Sequence, residues 1–218
     1  MIKIENVETC GWEAAIRGMR NPLNSWNKSD TAFWSYPKNN VAHKIGPNDL
    51  DLMKRLRNAG TDHRKFMRMI VVYCDVTAPL YFWKEADTYQ IGVTKNSCST
   101  MHKIADKEFT LEDFSCEHLL GLDDLNWDDT VPLVILERVI NALNVYRQKY
   151  LETKDKSHWW QMIQLLPSSY NQKRTVMLNY EVLANIYKSR KGHRLDEWKT
   201  MLDWIETLPY SELIIRKE

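Results

Sequence analysis

Residues 95–102, KNSCSTMH, hold one cysteine between a lysine and a histidine. A thiol beside a base can act as a nucleophile, because the thiolate is the reactive form and a neighbouring cation lowers the pKa of a cysteine below about 8.5. Nucleophile and base are matched by geometry, so their spacing alone does not define a catalytic site. Cys98 is therefore either a candidate nucleophile, with Lys95 and His102 as partners, or a small residue lining a binding loop.

A second group of polar candidates lies in residues 168–190, where the apolar spacing predicts one long helix. Asn179 falls in the middle of the apolar face that includes Leu183 and Ile186, and Arg190 returns to almost the same direction. Burying an amide without a hydrogen bond costs about 1–3 kcal/mol. Asn179 is therefore either a structural amide with an internal partner or a group presented to a bound ligand.

The composition excludes several classes of protein. The formal net charge is +1, which gives no electrostatic footprint for nucleic acid or for a membrane surface. Its four cysteines form no CxxC pair and no zinc spacing, so no metal site is expected. The first residues lack the apolar core of a signal peptide, and no run approaches the roughly 18 apolar residues of a membrane span. We expect a cytoplasmic protein with reduced thiols.

The remaining patterns predict an α+β fold in one domain, residues 1–218, with a mixed sheet flanked by long helices. Residues 20–46 are rich in Asn, Pro, Ser and Trp and predict an irregular segment. Residues 106–129 are strongly acidic and predict a partly helical surface segment, and TKDKSH at 153–158 predicts a polar connection. The predicted strands are residues 1–9, 66–76 and 212–215; the predicted helices, besides 168–190, are 11–19, 47–60, 79–89, 132–151 and 194–207.

The stretch LPSSYNQKRTVMLNYEVLANIYKSR resembles the signature of the flavin-dependent thymidylate synthases, the ThyX family. That family has Leu-Pro, twelve residues to an Asn, and then a pattern close to N-x-R-S-L-x-N-F-x-x-L-R. Here Leu-Pro lies at 166–167, and Asn179, Asn185 and Arg190 follow at the matching positions. In the family the Asn positions lie at the flavin and the last Arg binds the phosphate of deoxyuridylate. The resemblance therefore implies ligand-binding roles for Asn179, Asn185 and Arg190.

The N-terminal half resembles the same family in order and spacing. His63 falls at the first His of H-E-T-P-F-E-H, and Ala-Pro at 78–79 matches the pair that opens the next helix. Counting on without gaps places the family's R-H-R-x-x-S-x-N-E-x-S-x-R on residues 88–100, with Cys98 at its active-site Ser. His63 and Gln90 are thus further candidate ligand-binding residues. The resemblance covers roughly residues 48–205 and implies the ThyX fold, FAD, a nucleotide substrate and a homotetramer with shared sites.

The chain departs from the family at its cations. The family's R-H-R reads TYQ at 88–90, its final Arg is Thr100, and the Arg two residues after the first motif Asn is Glu181. Those cations face the flavin diphosphate and the nucleotide phosphate, where charge-assisted hydrogen bonds supply most of the anchoring. Neutral groups remove that anchoring, and Glu181 would repel a phosphate. We expect no binding of FAD and deoxyuridylate in the family's manner, and the cofactor is left unassigned.

Three functions follow in order of preference. The first is a nucleotide or other phosphorylated ligand bound in a remodelled pocket that uses Arg190, His63, Lys95 and Cys98. The second is a non-catalytic binding or structural protein on the same scaffold, with the acidic segment 106–129 as its partner surface. The third is an active flavin-dependent thymidylate synthase that methylates deoxyuridylate through altered contacts. A fold supports many functions and does not choose among these. If the chain is an enzyme, we expect a transferase acting on a nucleotide.

Overall fold

The computed structural model describes residues 2–36, 40–121 and 130–215. The chain forms two compact units whose segments alternate along the sequence. The first unit comprises residues 1–3, 75–88 and 96–175, and the second comprises residues 4–74, 89–95 and 176–218. The organisation as one domain stays a prediction.

The predicted mixture of helices and a sheet is confirmed. The order of strands in the four-stranded sheet is β1-β4-β6-β5, and β2 pairs antiparallel with β3 in a separate hairpin. Among the described residues, no helix combines the length and the apolar character needed to cross a membrane. The elements are β1 (Lys3–Cys10), α1 (Trp12–Arg20), β2 (Ala32–Tyr36), β3 (Asn40–Lys44), α2 (Pro47–Asn58), β4 (Val71–Pro79), α3 (Leu80–Ala86), β5 (Thr94–Ser97), α4 (Thr100–Lys103), α5 (Pro132–Thr153), α6 (Lys156–Leu165), β6 (Asn171–Asn179), α7 (Tyr180–Arg190) and α8 (Asp196–Glu206).

In the first unit, the long helix α5 packs on α6. Leu136, Ile140 and Leu143 recur at helical spacing and are all buried, which makes one apolar stripe. The stripe joins a core that also contains Phe109, Phe114 and Met162 and is completed by Ile104 and Ala105. The helix predicted over 132–151 is thus confirmed, and its amphipathic pattern supplies the core of this unit.

In the second unit, a buried ion pair fixes the segment before the hairpin. Arg20 Nε lies 2.6 Å from Asp49 Oδ1, and their side chains are 4% and 0% exposed. The second oxygen of Asp49 accepts hydrogen bonds from the hydroxyls of Ser29 and Thr31 and from the Thr31 N–H. Arg20 also donates to the carbonyl oxygen of Ser25. A pair this deeply buried is tolerated because both charges also have further hydrogen-bond partners.

The helix predicted over 168–190 is wrong in its first half, which forms the strand β6. Val176 and Leu178 are buried, Met177 between them is only half-buried, and Lys173 and Thr175 before them are exposed. This alternation is the period of two of a strand, which places Val176 and Leu178 on one face. In a helical projection, Val176 and Leu178 also fall on the apolar face, because several neighbouring positions are apolar. Asn179 therefore ends a strand and does not lie in the middle of a helix.

Other predicted boundaries also change. The irregular segment 20–46 contains the hairpin β2–β3, and the strand predicted from 66 begins at Val71 because Lys65–Arg68 form a 3-10 helix. The predicted C-terminal strand is instead a 3-10 helix, Ser211–Leu213. Helix α3 ends three residues earlier than predicted, and α6 begins inside the polar connection predicted at 153–158. Of the acidic segment, residues 122–129 lie outside the described residues, and the rest contains one 3-10 turn, Leu111–Asp113.

Candidate functional site

Asn179 caps the N-terminus of α7. Its Oδ1 accepts a hydrogen bond from the Val182 N–H at 3.0 Å, as an N-cap amide does. Gly92 packs against this cap with φ +73, and a Cβ at Gly92 would lie 2.8 Å from Asn179 Nδ2. Glycine adopts this conformation and this close approach without strain. Of the two roles left open for Asn179, the structure supplies the internal partner that a structural amide needs.

Arg190 is held by aromatic side chains of the second unit. Its guanidinium lies 4.4 Å from the ring centroid of Trp198, and its Nε donates to the Tyr89 hydroxyl at 3.0 Å. The ammonium of Lys95 donates to the Tyr89 carbonyl oxygen at 3.1 Å. Tyr89 therefore organises two of the predicted site residues, Arg190 and Lys95, and stands where the resembling family has the His of R-H-R.

Cys98 and His102 lie in the first unit, and Cys98 is exposed at the end of β5. The Cys98 N–H donates to the Lys173 carbonyl at 2.9 Å, and its own carbonyl accepts from Gln172 Nε2 at 2.8 Å. His102 is exposed, and its N–H bonds to the hydroxyl of Ser99 at 3.1 Å. Within the described residues, no hydrogen bond joins the Cys98 thiol to the His102 imidazole.

His63 and Gln90 are both exposed, His63 within a turn and Gln90 immediately before one. The His63 N–H donates to the Gly60 carbonyl at 3.1 Å, and the Gln90 carbonyl accepts from the Val93 N–H at 3.4 Å. Neither residue belongs to the lining of the two pockets described below. Asn185 is also exposed, but it lines a pocket of the second unit together with several cations.

We call this pocket the basic pocket; its volume is about 290 Å³. Two arginines and two lysines contribute to its described lining, which contains no carboxylate. A lining with four cations and no carboxylate favours an anion, and arginine and lysine are the usual ligands of phosphate. The lining residues are Arg57, Asn58, Gly60, Arg64, Ala184, Asn185, Tyr187, Lys188, Lys191 and Ile214.

Gly60 and Glu181 position Arg64. Gly60 follows α2 with φ +112, and its carbonyl accepts from the N–H groups of His63 and Arg64. The Arg64 Nε lies 2.9 Å from Glu181 Oε2 and donates a hydrogen bond to Oε1 at 3.1 Å, while Nη2 donates to Asn185 Oδ1 at 3.4 Å. Glu181 is buried and ion-paired, and it is absent from the lining of the basic pocket. The repulsion expected of Glu181 is therefore offset by Arg64.

Arg57 is fixed by the C-terminal segment. Its Nε donates to the Leu213 carbonyl, Nη2 donates to the Ile214 carbonyl, and Nη1 donates to Asn58 Oδ1. Sequence reasoning missed Arg57, because its place beside the α7 residues depends on the tertiary fold. It also missed Lys188, which lies three residues after Asn185 on α7, and Lys191, which follows the last residue of that helix.

A larger pocket of about 670 Å³ lies at the end of β1, beside Trp12 and His43. The two rings pack with centroids 4.8 Å apart, and burial lowers the pKa of His43. Glu8, Glu13 and Arg17 also line this pocket, and Glu13 forms an exposed pair with Arg17. Its mixed charges favour no single class of ligand. No group of three or more His, Cys, Asp or Glu in the described part could hold a metal ion.

Neither a protein-family model nor a curated protein matches this chain. Solved structures do match it. The flavin-dependent thymidylate synthase ThyX from Helicobacter pylori, complexed with FAD and dUMP, matches with a TM-score of 0.66 over 97% of each chain. The chain has the ThyX fold. The identity to this structure is 16%, so the match establishes the fold alone.

Two further structures agree with the ThyX fold. A second ThyX structure from Helicobacter pylori, with FAD and dUMP, matches with a TM-score of 0.64 and 14% identity over 98% of this chain and 96% of that chain. The UMP/dUMP methylase PolB from Streptomyces cacaoi, bound with 5-Br dUMP, matches with a TM-score of 0.55 and 14% identity over 84% and 75%. The fold predicted from the sequence motifs is thus confirmed.

Proposed function

We propose that this chain binds a nucleotide or another phosphorylated small molecule in the basic pocket and is not a standard FAD-dependent thymidylate synthase. The observation that carries the proposal is the described lining, with Arg57, Arg64, Lys188 and Lys191 and no carboxylate. Hydrogen bonds from these cations to phosphate are charge-assisted, with about twice the strength of neutral hydrogen bonds. The bound nucleotides of the structural neighbours support the same class of ligand.

The basic pocket also has an apolar part. Ala184 and Ile214 contribute aliphatic surface, and the Tyr187 hydroxyl donates to Glu206 at 2.5 Å. The hydroxyl of Tyr187 is thus already engaged outside the lining. A small number of polar groups beside apolar surface is typical of a pocket for a small molecule that carries both. A phosphate on the cations and a base or sugar on this surface would use both parts.

The segment that stands at the family's R-H-R motif does not fit a flavin diphosphate held by arginines. Residues 88–100 contain one cation, Lys95, and its ammonium is bonded to the Tyr89 carbonyl. The Thr88 hydroxyl donates to the Glu85 carbonyl, and Gln90 carries no charge. We therefore assign no flavin-dependent step to this chain.

Other predicted features stay proposals. Asn185 belongs to the basic pocket, which supports its ligand-binding role, whereas the roles of Asn179, Arg190, His63 and Gln90 rest on the resemblance. The catalytic roles of Cys98, Lys95 and His102 are likewise untested predictions. A homo-oligomer, a tetramer by resemblance, and a cytoplasmic location also remain predictions.

A thermal-shift panel separates the three functions. We expect nucleoside monophosphates to raise the melting temperature and the matching uncharged nucleosides to leave it unchanged, because only the phosphate engages the cations. A ligand at 100 times its Kd adds about 2.7 kcal/mol to the free energy of unfolding. A flavin absorbance spectrum that survives gel filtration would contradict the proposal and favour the synthase. No shift with any phosphorylated compound would favour the non-catalytic binding or structural protein.

A further inference from the structure

We infer that the basic pocket selects a terminal phosphate, a phosphomonoester, in its doubly deprotonated form over a phosphodiester. The inference rests on the proposed function and deepens it. It comes from the orientation of two amides, Asn58 and Asn185, and from the partners that already occupy four acceptors of the lining.

Each amide faces an arginine. Arg57 Nη1 donates to Asn58 Oδ1 at 3.0 Å, and Arg64 Nη2 donates to Asn185 Oδ1 at 3.4 Å. A guanidinium has five N–H donors and no acceptor, so the amide atom that meets it must be the oxygen. The NH₂ group of each amide is therefore turned away from its arginine. Among the described residues, neither NH₂ group has a hydrogen-bond partner, so each is left as a donor.

Two backbone carbonyls of the lining are engaged, as are the two amide oxygens. The Gly60 carbonyl accepts from two N–H groups, and the Ile214 carbonyl accepts from Arg57. The ammonium groups of Lys188 and Lys191 are donors only. The described lining therefore offers guanidinium, ammonium and amide donors, with its amide oxygens and these two carbonyls occupied.

A lining of donors distinguishes between ionisation states of a phosphate. A phosphomonoester dianion presents three acceptor oxygens and no proton, which matches the donor side chains of the lining. The monoanion carries a P–OH group that needs an acceptor, and a diester has a single charge and two free oxygens. Leaving a donor without a partner forfeits its hydrogen bond. The pocket therefore favours the dianion over both alternatives.

Calorimetric titration with phenyl phosphate and methyl phenyl phosphate tests this selectivity. The second pKa of a phosphomonoester is about 6, so between about pH 5 and about pH 8 the dianion fraction rises roughly tenfold. We expect the Kd of phenyl phosphate to fall by the same factor and the diester to bind weakly at both values. The charged and titratable groups of the lining are Arg57, Arg64, Lys188, Lys191 and the phenol Tyr187, with Glu181 paired to Arg64 and Glu206 bonded to Tyr187. None of these side-chain types normally titrates in this range.

Variants make the test specific. Asn185→Asp replaces an amide donor with an acceptor and should remove most of the preference for the monoester. Ser189→Asp adds the same charge to α7 outside the lining and should keep the preference. A pH dependence that disappears in His63→Gln would belong to that imidazole and would overturn the inference.

Equal affinity for the two esters, or a Kd of the monoester that does not change with pH, would overturn the inference. If nucleotides bind and neither ester does, the proposed function stands and the selectivity fails. If neither nucleotides nor esters bind, the proposed function itself fails.

Discussion

The carboxylate of Glu181 lies 2.9 Å from Arg64 Nε, with 7% of the Glu181 side chain exposed. By resemblance, Glu181 stands where flavin-dependent thymidylate synthases have an arginine. The ion pair turns that acid from a group that repels phosphate into one that holds an arginine at the edge of the basic pocket. The position is thus compatible with an anionic ligand, although the charge of its side chain is reversed.

Asp49→Ala should lower the free energy of unfolding by about 3–5 kcal/mol, because it leaves the Arg20 guanidinium buried without its carboxylate. Urea denaturation followed by circular dichroism measures the loss. Asp51→Ala, on the same helix, is the control, since its pair with Arg55 is exposed. An exposed pair of this spacing contributes about 0.3–0.5 kcal/mol. Equal effects of the two variants would contradict the role of the buried pair.

The stabilisation by Asp49 should also depend on pH. Burial raises the pKa of Asp49, but hydrogen bonds from Thr31, Ser29 and Arg20 outweigh it, so the pKa lies below its ordinary value. A carboxyl with a lowered folded pKa stabilises fully above its unfolded pKa of about 3.9 and loses that stabilisation as pH falls through the folded value. The difference between wild type and Asp49→Ala should therefore shrink below about pH 4. A constant difference would contradict this account.

Asn179→Ala should cost about 0.5–2 kcal/mol, the usual loss for an N-cap, whereas Asn179→Ser should cost much less because serine also caps. Gly92→Ala should be destabilising too, since its φ is +73 and a Cβ would meet Asn179 Nδ2. Thermal unfolding measures the stability of all three variants. If Asn179→Ser keeps its stability and weakens ligand binding, Asn179 also contacts the ligand; equal stability of the Ala and Ser variants would contradict the cap.

Arg190→Lys should destabilise the protein by about 0.5–2 kcal/mol, because lysine cannot reproduce the planar contact with Trp198 and the hydrogen bond to Tyr89. Tyr89→Phe should lose only the hydrogen bond, about 0.5–1.5 kcal/mol. Chemical denaturation of the two variants and of their double variant measures the interaction free energy between Arg190 and Tyr89. If Arg190→Lys has wild-type stability but abolishes nucleotide binding, Arg190 serves the ligand and the aromatic contacts are secondary.

Tyr187 should lose its proton at an unusually high pH. Its hydrogen bond to Glu206, together with partial burial and nearby acids, raises the pKa of Tyr187 to about 12. A raised folded pKa gives stabilisation that is complete below the unfolded value of about 10 and is lost as pH rises through the folded value. The difference in tyrosinate absorbance between wild type and Tyr187→Phe, measured as pH rises, reports the ionisation of this phenol. Tyr187→Phe should retain nucleotide binding. If the variant instead loses an absorbance transition near pH 10 that wild type shows, Tyr187 ionises at the ordinary pKa of tyrosine and the account is contradicted.

The sequence predicted the fold class well because long amphipathic helices and β-branched strands carry strong patterns. Leu136, Ile140 and Leu143 illustrate this, since one face of a single helix decides their burial. The secondary-structure prediction failed at residues 171–179, where Val176 and Leu178 fit both a helical and a strand period. The hairpin β2–β3 was missed because its segment is rich in residues typical of irregular structure.

The candidate site was only partly predictable. Asn185 followed from the motif, but Arg57 and Arg64 lie more than a hundred residues from α7 and reach the basic pocket through the tertiary fold. The pairing of Glu181 with Arg64 could not be predicted for the same reason. Local spacing made Cys98 and His102 look like a pair, yet the structure gives them separate hydrogen bonds.

The central claim is that cations of the basic pocket bind the phosphate of a ligand. Isothermal titration of a nucleoside monophosphate into wild type, Lys188→Ala/Lys191→Ala and Lys199→Ala tests it most directly. A hydrogen bond to a charged group is worth about 1.5–3 kcal/mol, so we expect the double variant to bind roughly 10–100-fold more weakly. Lys199 is exposed on α8 and does not line the pocket, so Lys199→Ala should bind like wild type. Undiminished affinity in the double variant, or no binding by wild type, would contradict the claim.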